Sequence, residues 1–541
     1  MKTKMITLLL VCGMMSFFSA SAQNVADYQI VPMPKELSLT TKKPFVLSAS
    51  TCIYSPAGDM DLQRNAQYLS EYIRETTGLQ LNCVTKKTKQ AISLTIDSKI
   101  KNDEGYVLSV TPQGVTVAGK TARGVFYGLQ TLRKSLPVAN NLTEVMLPAV
   151  VIKDAPRFGY RGGMLDCGRH FFSIDFVKKY IDLLALHNMN VFHWHLTEDQ
   201  GWRIEIKKYP ELTKIGSIRK ETVVGRNSSV CDGVPYGGYY TQEQAREIVK
   251  YAADRYITVI PEIDMPGHML AAMAAYPELG CTGGPYEVAK TWGIFDDVLC
   301  LGNEKTYQFC EDVLAELIDI FPSKYINIGG DEAPHVRWEK CPKCQRVMQA
   351  QGLTAKKLQG YFTNRIEKFI NSKGRRLIGW DEILDGDINQ SATVMSWRGV
   401  EPGVKAAMAG HDVVMSPTTY AYFDYYQTDK TFNEPLLIGG NLPIEKTYSY
   451  EPLPNDLPDE ARQHIIGVQC NLWTEYIPYP NLAEYQLLPR MAAIAEIQWS
   501  EHKKDFPEFK NRLTRLTKFY DLYNYEYAKH LWNKNNHSTK Y

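Results

Sequence analysis

Tyr325-Ile326-Asn327-Ile328-Gly329-Gly330-Asp331-Glu332 is a short apolar run that ends in two glycines and then in two adjacent carboxylates. The run reads as a buried strand. Consecutive strand side chains point to opposite faces, so turning Asp331 and Glu332 into one pocket needs a backbone excursion. Gly329 and Gly330 permit it, because glycine reaches dihedrals closed to other residues. Two carboxyls this close do not ionise independently, and one keeps its proton to a higher pH than a free carboxyl does. A general acid is made in this way. Alone, an Asp-Glu pair is more often an exposed acidic turn, so its meaning rests on the surrounding chain.

Around this segment, from Arg161 onward, short apolar strands alternate with amphipathic helices. The expected strands are Gly162 to Asp166, Val191 to Leu196, Thr258 to Ile263, Tyr325 to Ile328, Arg376 to Trp380, Thr393 to Trp397, Asp412 to Met415 and Gly467 to Leu472. The expected helices are Ile174 to His187, Thr241 to Arg255, Glu304 to Phe321, Ala355 to Lys373, Glu401 to Ala409 and Asn481 to Glu496. About eight strands is the number a (β/α)8 TIM barrel requires. Open doubly wound sheets share the alternation, but no turn here carries a dinucleotide-type glycine fingerprint. The C-terminal ends of the strands carry chemistry almost without exception: Asp166, Arg169 and His170; His195, Glu198 and Asp199; Glu262, Asp264 and His268; Asp331 and Glu332; Trp380, Asp381 and Glu382; Trp397 and Arg398; Trp473 and Glu475. Barrel enzymes assemble their sites at that end.

Upstream, from Tyr28 to about Pro156, β-type runs (Gln29 to Val31, Ala91 to Ile96, Gly105 to Val110, Gly114 to Gly119) interleave with helical patterns over Met60 to Thr77 and Thr121 to Ser135. The domain reading is therefore a leader at 1–22, a small α+β domain at 23–155, the barrel at 156–500, and a C-terminal helical extension at 501–541 packed on the barrel.

The 541 residues carry a net charge of only +1, which argues against a nucleic-acid or anionic-membrane partner. Lys2 and Lys4 precede the apolar run Ile6 to Val11, and Ala20-Ser21-Ala22 has the form of a signal-peptidase site. The expected mature chain begins at Gln23 and is exported, periplasmic or secreted, with no transmembrane segment. Of eleven cysteines, Cys12 lies in the leader; disulfides are allowed for the other ten, with Cys281–Cys300 and Cys341–Cys344 as the candidate pairs. Cys341-Pro342-Lys343-Cys344 could also be half a zinc site or a redox motif, but no second such pair accompanies it, so neither metal nor cofactor is expected. Cys167 and Cys470, in apolar runs, read as small buried hydrophobes.

The ordered motifs resemble glycoside hydrolase family 20, the β-N-acetylhexosaminidases. They are Tyr160 to Asp166 with Arg169-His170, Asn190 to Leu196, Asp199-Gln200-Gly201-Trp202-Arg203, Pro261 to His268, Gly329 to Glu332, Gly379 to Glu382, Met395 to Arg398 and Trp473-Thr474-Glu475. The resemblance runs from Arg161 to about Ser500, and the upstream segment looks like the small domain that often precedes such a barrel. It implies a retaining, exo-acting enzyme that releases terminal β-linked N-acetylglucosamine, with N-acetylgalactosamine as an open second substrate, by substrate-assisted catalysis through an oxazolinium intermediate. Glu332 would be general acid and then base, and Asp331 would hold the acetamido N–H. Arg161 and Glu475 would grip sugar hydroxyls, helped by Asp424, while Tyr422 donates to the acetamido oxygen. Trp380, Trp397 and Trp473 would wall the acetamido pocket. His268 would steady Glu332, with Asp199 or Glu198 behind it; the family usually shows Asp-Asp where this chain has Glu198-Asp199. The implied partner is a glycan, and the natural linkage and the oligomeric state stay open. The loops Gly216 to Tyr240 and Leu279 to Leu301 leave room for a lacto-N-biosidase-like or sulfated-sugar preference.

The physics agrees with that mechanism. A retaining enzyme with a protein nucleophile needs two carboxyls about 5 Å apart on opposite sides of the anomeric carbon, and neighbours on one strand end cannot easily flank a sugar. An attacking group already on the substrate has an effective molarity of about 10⁵ M or more. Two rival readings exist. His193-Trp194-His195 has the His-x-His form of a metal-ligand pair, although no further histidine with the usual acidic partner follows at a later strand end. A noncatalytic sugar-binding barrel would be expected to have lost its acid, and Glu332 is present.

Overall fold

The computed structural model describes residues 24–532. The proposed leader, 1–22, lies outside the described residues. Among those described, no helix is long and apolar enough to cross a membrane. The chain divides into two compact units, one of residues up to Arg157 together with Trp499–Tyr525, the other of Phe158–Gln498 with the residues from Glu526 on.

The first unit is a seven-stranded mixed sheet in the order Glu36–Leu39, Val150–Asp154, Tyr106–Thr111, Gly114–Gly119, Ile92–Ile96, Cys52–Tyr54, Asn82–Val84. Its helices Met60–Thr77 and Ala122–Ser135 start where Asp59 and Thr121 accept hydrogen bonds from the backbone N–H groups of Leu62 and Gly124. The expected strand at Gln29 to Val31 is absent. Pro32 offers no N–H to a ladder, and the Ile30 carbonyl instead accepts from the Arg512 guanidinium at 2.8 Å. Arg512 lies on the helix Phe506–Leu522, which buries Phe509, Leu513, Leu516, Phe519 and Tyr520. That helix belongs to this unit, so the expected C-terminal extension on the barrel is corrected: its apolar face completes the core of the small domain.

The second unit is a closed eight-stranded parallel barrel. In chain order its strands are β1 (Tyr160–Asp166), β2 (Val191–His195), β3 (Thr258–Glu262), β4 (Tyr325–Asn327), β5 (Arg376–Trp380), β6 (Thr393–Ser396), β7 (Val413–Met415) and β8 (Ile465–Leu472). Nearly every strand residue is buried, as expected where helices cover the outside and side chains fill the inside. The closing pair β8–β1 registers Gly467 with Tyr160 and Leu472 with Leu165. The outer layer includes α1 (Ile174–Leu186), α2 (Gln242–Ala253), α3 (Glu304–Ile320), α4 (Ala355–Ser372), α5 (Val400–Met408), α6 (Pro480–Leu487) and α7 (Arg490–Trp499). One helix was expected over Asn481 to Glu496; the chain breaks between α6 and α7 because Pro489 cannot continue a helix and holds Leu488 extended, at φ −106° and ψ 137°.

The barrel interior is apolar in Met164, Ile260, Ile378, Met395 and Val414 and polar in one network. His193 meets Gln469, Asn327 and Glu262, and Gln469 meets Tyr160 and Asn471. Both nitrogens of His193 and of His195 lie within hydrogen-bond distance of protein groups, so the His-x-His pair serves to hold Glu262. Cys167 and Cys470 are fully buried.

Candidate active site

The excursion expected after β4 is present. Gly329 and Gly330 have φ of +63° and +93°, and Glu332 itself has φ +45°. A Cβ on Gly329 would lie 1.9 Å from Asp264 Oδ1, so this position needs glycine for space as well as for dihedral. Asp264 Oδ1 accepts the Gly330 N–H at 3.1 Å, and the Trp380 N–H donates to the Gly329 carbonyl at 2.8 Å. The bent exit of β4 is thus fixed by β3 on one side and β5 on the other.

The bend places the two carboxylates in unlike surroundings. Asp331 is buried, whereas the Glu332 side chain is about a third exposed. Burial pushes the Asp331 carboxyl up to about 7; the His268 imidazole opposes that rise and Glu332 adds to it. Its Oδ1 is buried without a hydrogen-bond partner in the protein. His268 Nε2 lies 3.9 Å from Asp331 and 3.6 Å from Glu332, while its Nδ1 meets Glu198 at 3.0 Å and Asp199 at 3.2 Å. Both candidate partners therefore stand behind His268. Burial alone would lower this imidazole, but Glu198, Asp199 and Glu332 outweigh it and hold it well above its ordinary range. Asp199 also accepts the Leu270 N–H at 3.0 Å, which fixes the turn that carries His268.

The aromatic wall is built from strand ends. The ring centroids of Trp380 and Trp473 are 5.7 Å apart, those of Tyr422 and Trp473 6.4 Å, and Trp397 stacks on Tyr422 at 6.1 Å and 22°. Trp380 donates its indole N–H to Glu262 at 2.9 Å, and Trp397 donates to Glu382 at 2.7 Å. Burial drives Glu382 up to about 8, with Asp331 adding to it. The rings of Trp397, Tyr422 and Trp473, with Asp331 and Glu332, border a cavity of about 500 Å³, within the range of small-molecule sites. Asp424 and Glu475 reach it too, each with one buried carboxylate oxygen lacking a protein partner. Burial raises the pKa of both; Glu475 adds to the rise at Asp424, Asp166 and Glu198 add to it at Glu475, and Arg169 opposes it at each. Asp199, His268 and Trp380 sit behind the cavity lining.

Arg161 is not at this site. It is the second residue of β1, at the opposite end of the barrel, about 17 Å from the Asp166 end at 3.3 Å per residue. Its guanidinium is buried and donates to the carbonyls of Asn188 and Phe158 at 2.9 and 2.8 Å. Arg169, just past the C-terminal end of β1, occupies the cavity wall instead. It pairs with Glu198 at 2.8 Å, Asp166 at 3.4 Å and Glu475 at 4.0 Å, and lies over the Trp473 ring at 5.0 Å. Its place at a strand end already marked it among the chemistry-bearing residues. Tyr425 and Tyr476, each next to a residue already marked, also line the cavity; so does Trp292, which lies on a long loop and had no such signal.

A proton donor beside a buried charge stabiliser, under an aromatic wall and with unpaired acceptors for hydroxyls, is equipment for cleaving a glycosidic bond. Fold and site together define a glycoside hydrolase. The family model described as "Glycosyl hydrolase family 20, catalytic domain" matches residues 158–502, and "Glycosyl hydrolase family 20, domain 2" matches residues 27–155. The chain belongs to glycosyl hydrolase family 20. It is 43% identical over 536 residues to a beta-hexosaminidase of Porphyromonas gingivalis, an alignment covering 96% of this chain and 67% of that protein. It is 35% identical to a beta-hexosaminidase of Akkermansia muciniphila, over 81% of this chain and 87% of the other. Among solved structures, the Vibrio harveyi GH20 exo beta-N-acetylglucosaminidase in complex with N-acetylglucosamine superposes with a TM-score of 0.82 at 31% identity, covering 94% and 79% of the two chains. A mutant Streptomyces plicatus beta-hexosaminidase in complex with product GlcNAc gives a TM-score of 0.81 at 31% identity, covering 93% and 96%.

Proposed function

We infer that the protein is an exo-acting β-N-acetylhexosaminidase that releases terminal non-reducing β-linked N-acetylglucosamine with retention of configuration. The observation that carries this reading is the buried, unpartnered Asp331 Oδ1 on the wall of an aromatic cavity, beside the more exposed Glu332. A lone carboxylate oxygen kept from water is suited to accept an amide N–H. Glu332 protonates the glycosidic oxygen as the C1–O bond breaks, and the substrate's own acetamido oxygen forms the new bond to C1. Asp331 accepts the acetamido N–H and balances the positive charge of the oxazolinium ring. Glu332, now a carboxylate, takes a proton from the water that opens the ring, which returns the acid and releases the sugar. Tyr422, Trp397 and Trp473 keep the acetamide folded under C1, while Asp424, Glu475 and Arg169 hold hydroxyls on the far side of the ring.

The test compares a chromogenic β-N-acetylglucosaminide with the matching β-glucoside, which has a hydroxyl in place of the acetamide. Turnover of the first with silence on the second supports the acetamide as nucleophile; equal turnover would mean that a protein nucleophile operates. The β-N-acetylgalactosaminide, run beside them, reports tolerance of an axial C4 hydroxyl. We also propose that the enzyme acts outside the cytoplasm, from the Lys2, Lys4, Ile6 to Val11 and Ala20-Ser21-Ala22 pattern; intact mass of the cell-derived protein should match a chain beginning at Gln23.

A further inference from the structure

Four cysteines from three places in the sequence converge in the loops that leave β3 and β4. Cys281 and Cys300 lie in the first loop; Cys341 stands at the N-terminus of the helix Pro342–Gln351 and Cys344 in its first turn. The expected pairs, Cys281 with Cys300 and Cys341 with Cys344, are not what the fold isolates. The Sγ atoms are 3.7 Å apart for Cys300 and Cys341, 3.8 Å for Cys300 and Cys344, and 3.9 Å for Cys281 and Cys344. All four sulfurs lie within 4.8 Å of one another, and none is in a disulfide. Bonded sulfurs stand about 2.05 Å apart. Sulfurs at the corners of a tetrahedron around zinc, with Zn–S near 2.3 Å, stand about 3.8 Å apart. We propose that Cys281, Cys300, Cys341 and Cys344 bind one zinc ion as a structural tetrathiolate site.

The backbone around the sulfurs is built for thiolates. Cys341 and Cys344 sit where a helix N-terminus presents unpaired N–H groups and favours negative charge. Gly302 directs its backbone N–H at the Cys300 sulfur. The Gly302 turn and the Cys341-to-Cys344 turn meet backbone to backbone, since a Cβ on Gly302 would come within 2.2 Å of the Lys343 carbonyl carbon and 2.3 Å of the Cys344 nitrogen. Cys300, Cys341 and Cys344 are buried and Cys281 is half-buried. The cluster contains sulfur alone, and a soft all-thiolate set in tetrahedral reach selects zinc over the hard divalent cations. The absence of a second Cys-x-x-Cys spoke against this reading in the sequence; folding supplies the other two ligands singly.

The site also has something to hold. The loop after β4 carries Asp331 and Glu332 and runs on to Cys341; the loop after β3 carries His268 and, further on, Trp292 at the cavity. Trp338 donates its indole N–H to the Leu299 carbonyl at 2.9 Å, and Arg337 pairs with Asp297 at 2.8 Å, so the same two loops are already cross-tied next to the cysteines. One ion would fix both loops at once.

Elemental analysis of the full chain, purified without added metal or chelator, tests the proposal. It should contain about one zinc per chain, and the zinc should be absent from Cys300→Ser and Cys344→Ser but kept by Cys310→Ser, which alters a buried cysteine outside the cluster. If the cluster variants do not fold, wild-type protein reconstituted with cobalt(II) should show the intense thiolate-to-cobalt charge-transfer absorption of a tetrathiolate centre. Mass spectrometry of the unreduced protein that found two disulfides among these four cysteines, with no bound zinc, would overturn the proposal. So would zinc retained in both serine variants.

Discussion

Asp331 and Glu332 are neighbours in sequence with separate tasks, and the difference comes from solvent. Glu332 is open enough to meet a leaving oxygen and a water, and Glu332→Gln should lower kcat/KM on substrates with poor leaving groups by about 10²–10⁴-fold, the usual worth of a general acid. Asp331 is shut in, and its substitution by Asn should cost on the order of 10²–10³ in kcat, as for the loss of one oriented charge stabiliser. Burial also gives Asp331 a thermodynamic signature. Its value of about 7 in the folded chain lies above the ~3.9 of an unfolded aspartate. Between those values the folded chain keeps a proton that the unfolded chain has released. This residue's contribution to stability is therefore largest in acid, falls as pH rises from about 4 to about 7, and is level above that. Melting temperatures of wild type and Asp331→Asn across this range should diverge in the variant's favour as pH rises; parallel profiles would contradict the raised value. A second pair separates the two arginines. Arg169→Lys should raise KM, because a point charge cannot replace a planar fork that holds Glu198 and faces Glu475. Arg161→Lys should lower the melting temperature through its lost carbonyl contacts and leave KM unchanged.

At the scale of elements, the strands were legible because a parallel barrel buries both faces, and runs such as Arg376 to Trp380 then stand out as short apolar blocks between helical periods. The catalytic pair was legible for a related reason: it ends such a block. Arg161 was misplaced because its motif is contiguous with the chemistry-bearing residues although the strand carries it to the other end of the barrel. Trp292 could not be found, because its long loop has no periodicity to read. The break between α6 and α7 was foreseeable from Pro489, which the apolar pattern on both sides concealed. The exit of β4 makes the sharpest element-scale prediction. Gly329→Ala combines a left-handed backbone, costing about 1–2 kcal/mol for a residue with a Cβ, with a methyl carbon 1.9 Å from Asp264 Oδ1. The variant should lose more than about 2 kcal/mol of stability and most activity, measured by denaturant unfolding and turnover; a near-wild-type unfolding midpoint would show that β4 can leave the barrel by another path.

At the scale of the whole molecule, the C-terminal helix was visible as a helix, but its partner was not, since an amphipathic face does not name the core it covers. Its five buried apolar residues contribute on the order of 10 kcal/mol to the small domain at 1.5–3 kcal/mol each, comparable with the entire stability of an ordinary domain. Ending the chain before Phe506 should therefore unfold the first unit while the barrel keeps its own cooperative transition, so calorimetry should show one transition fewer or markedly earlier than in the full chain. The same arrangement sets a clock on biosynthesis. The small domain is begun before the barrel and finished after it, because the residues that complete it follow roughly 340 others, which take roughly 20–70 s to be made at 5–20 residues per second. For that interval the small domain lacks the helix that completes its core, and the nascent chain has most need of a chaperone then, while the barrel that will carry the chemistry is still emerging.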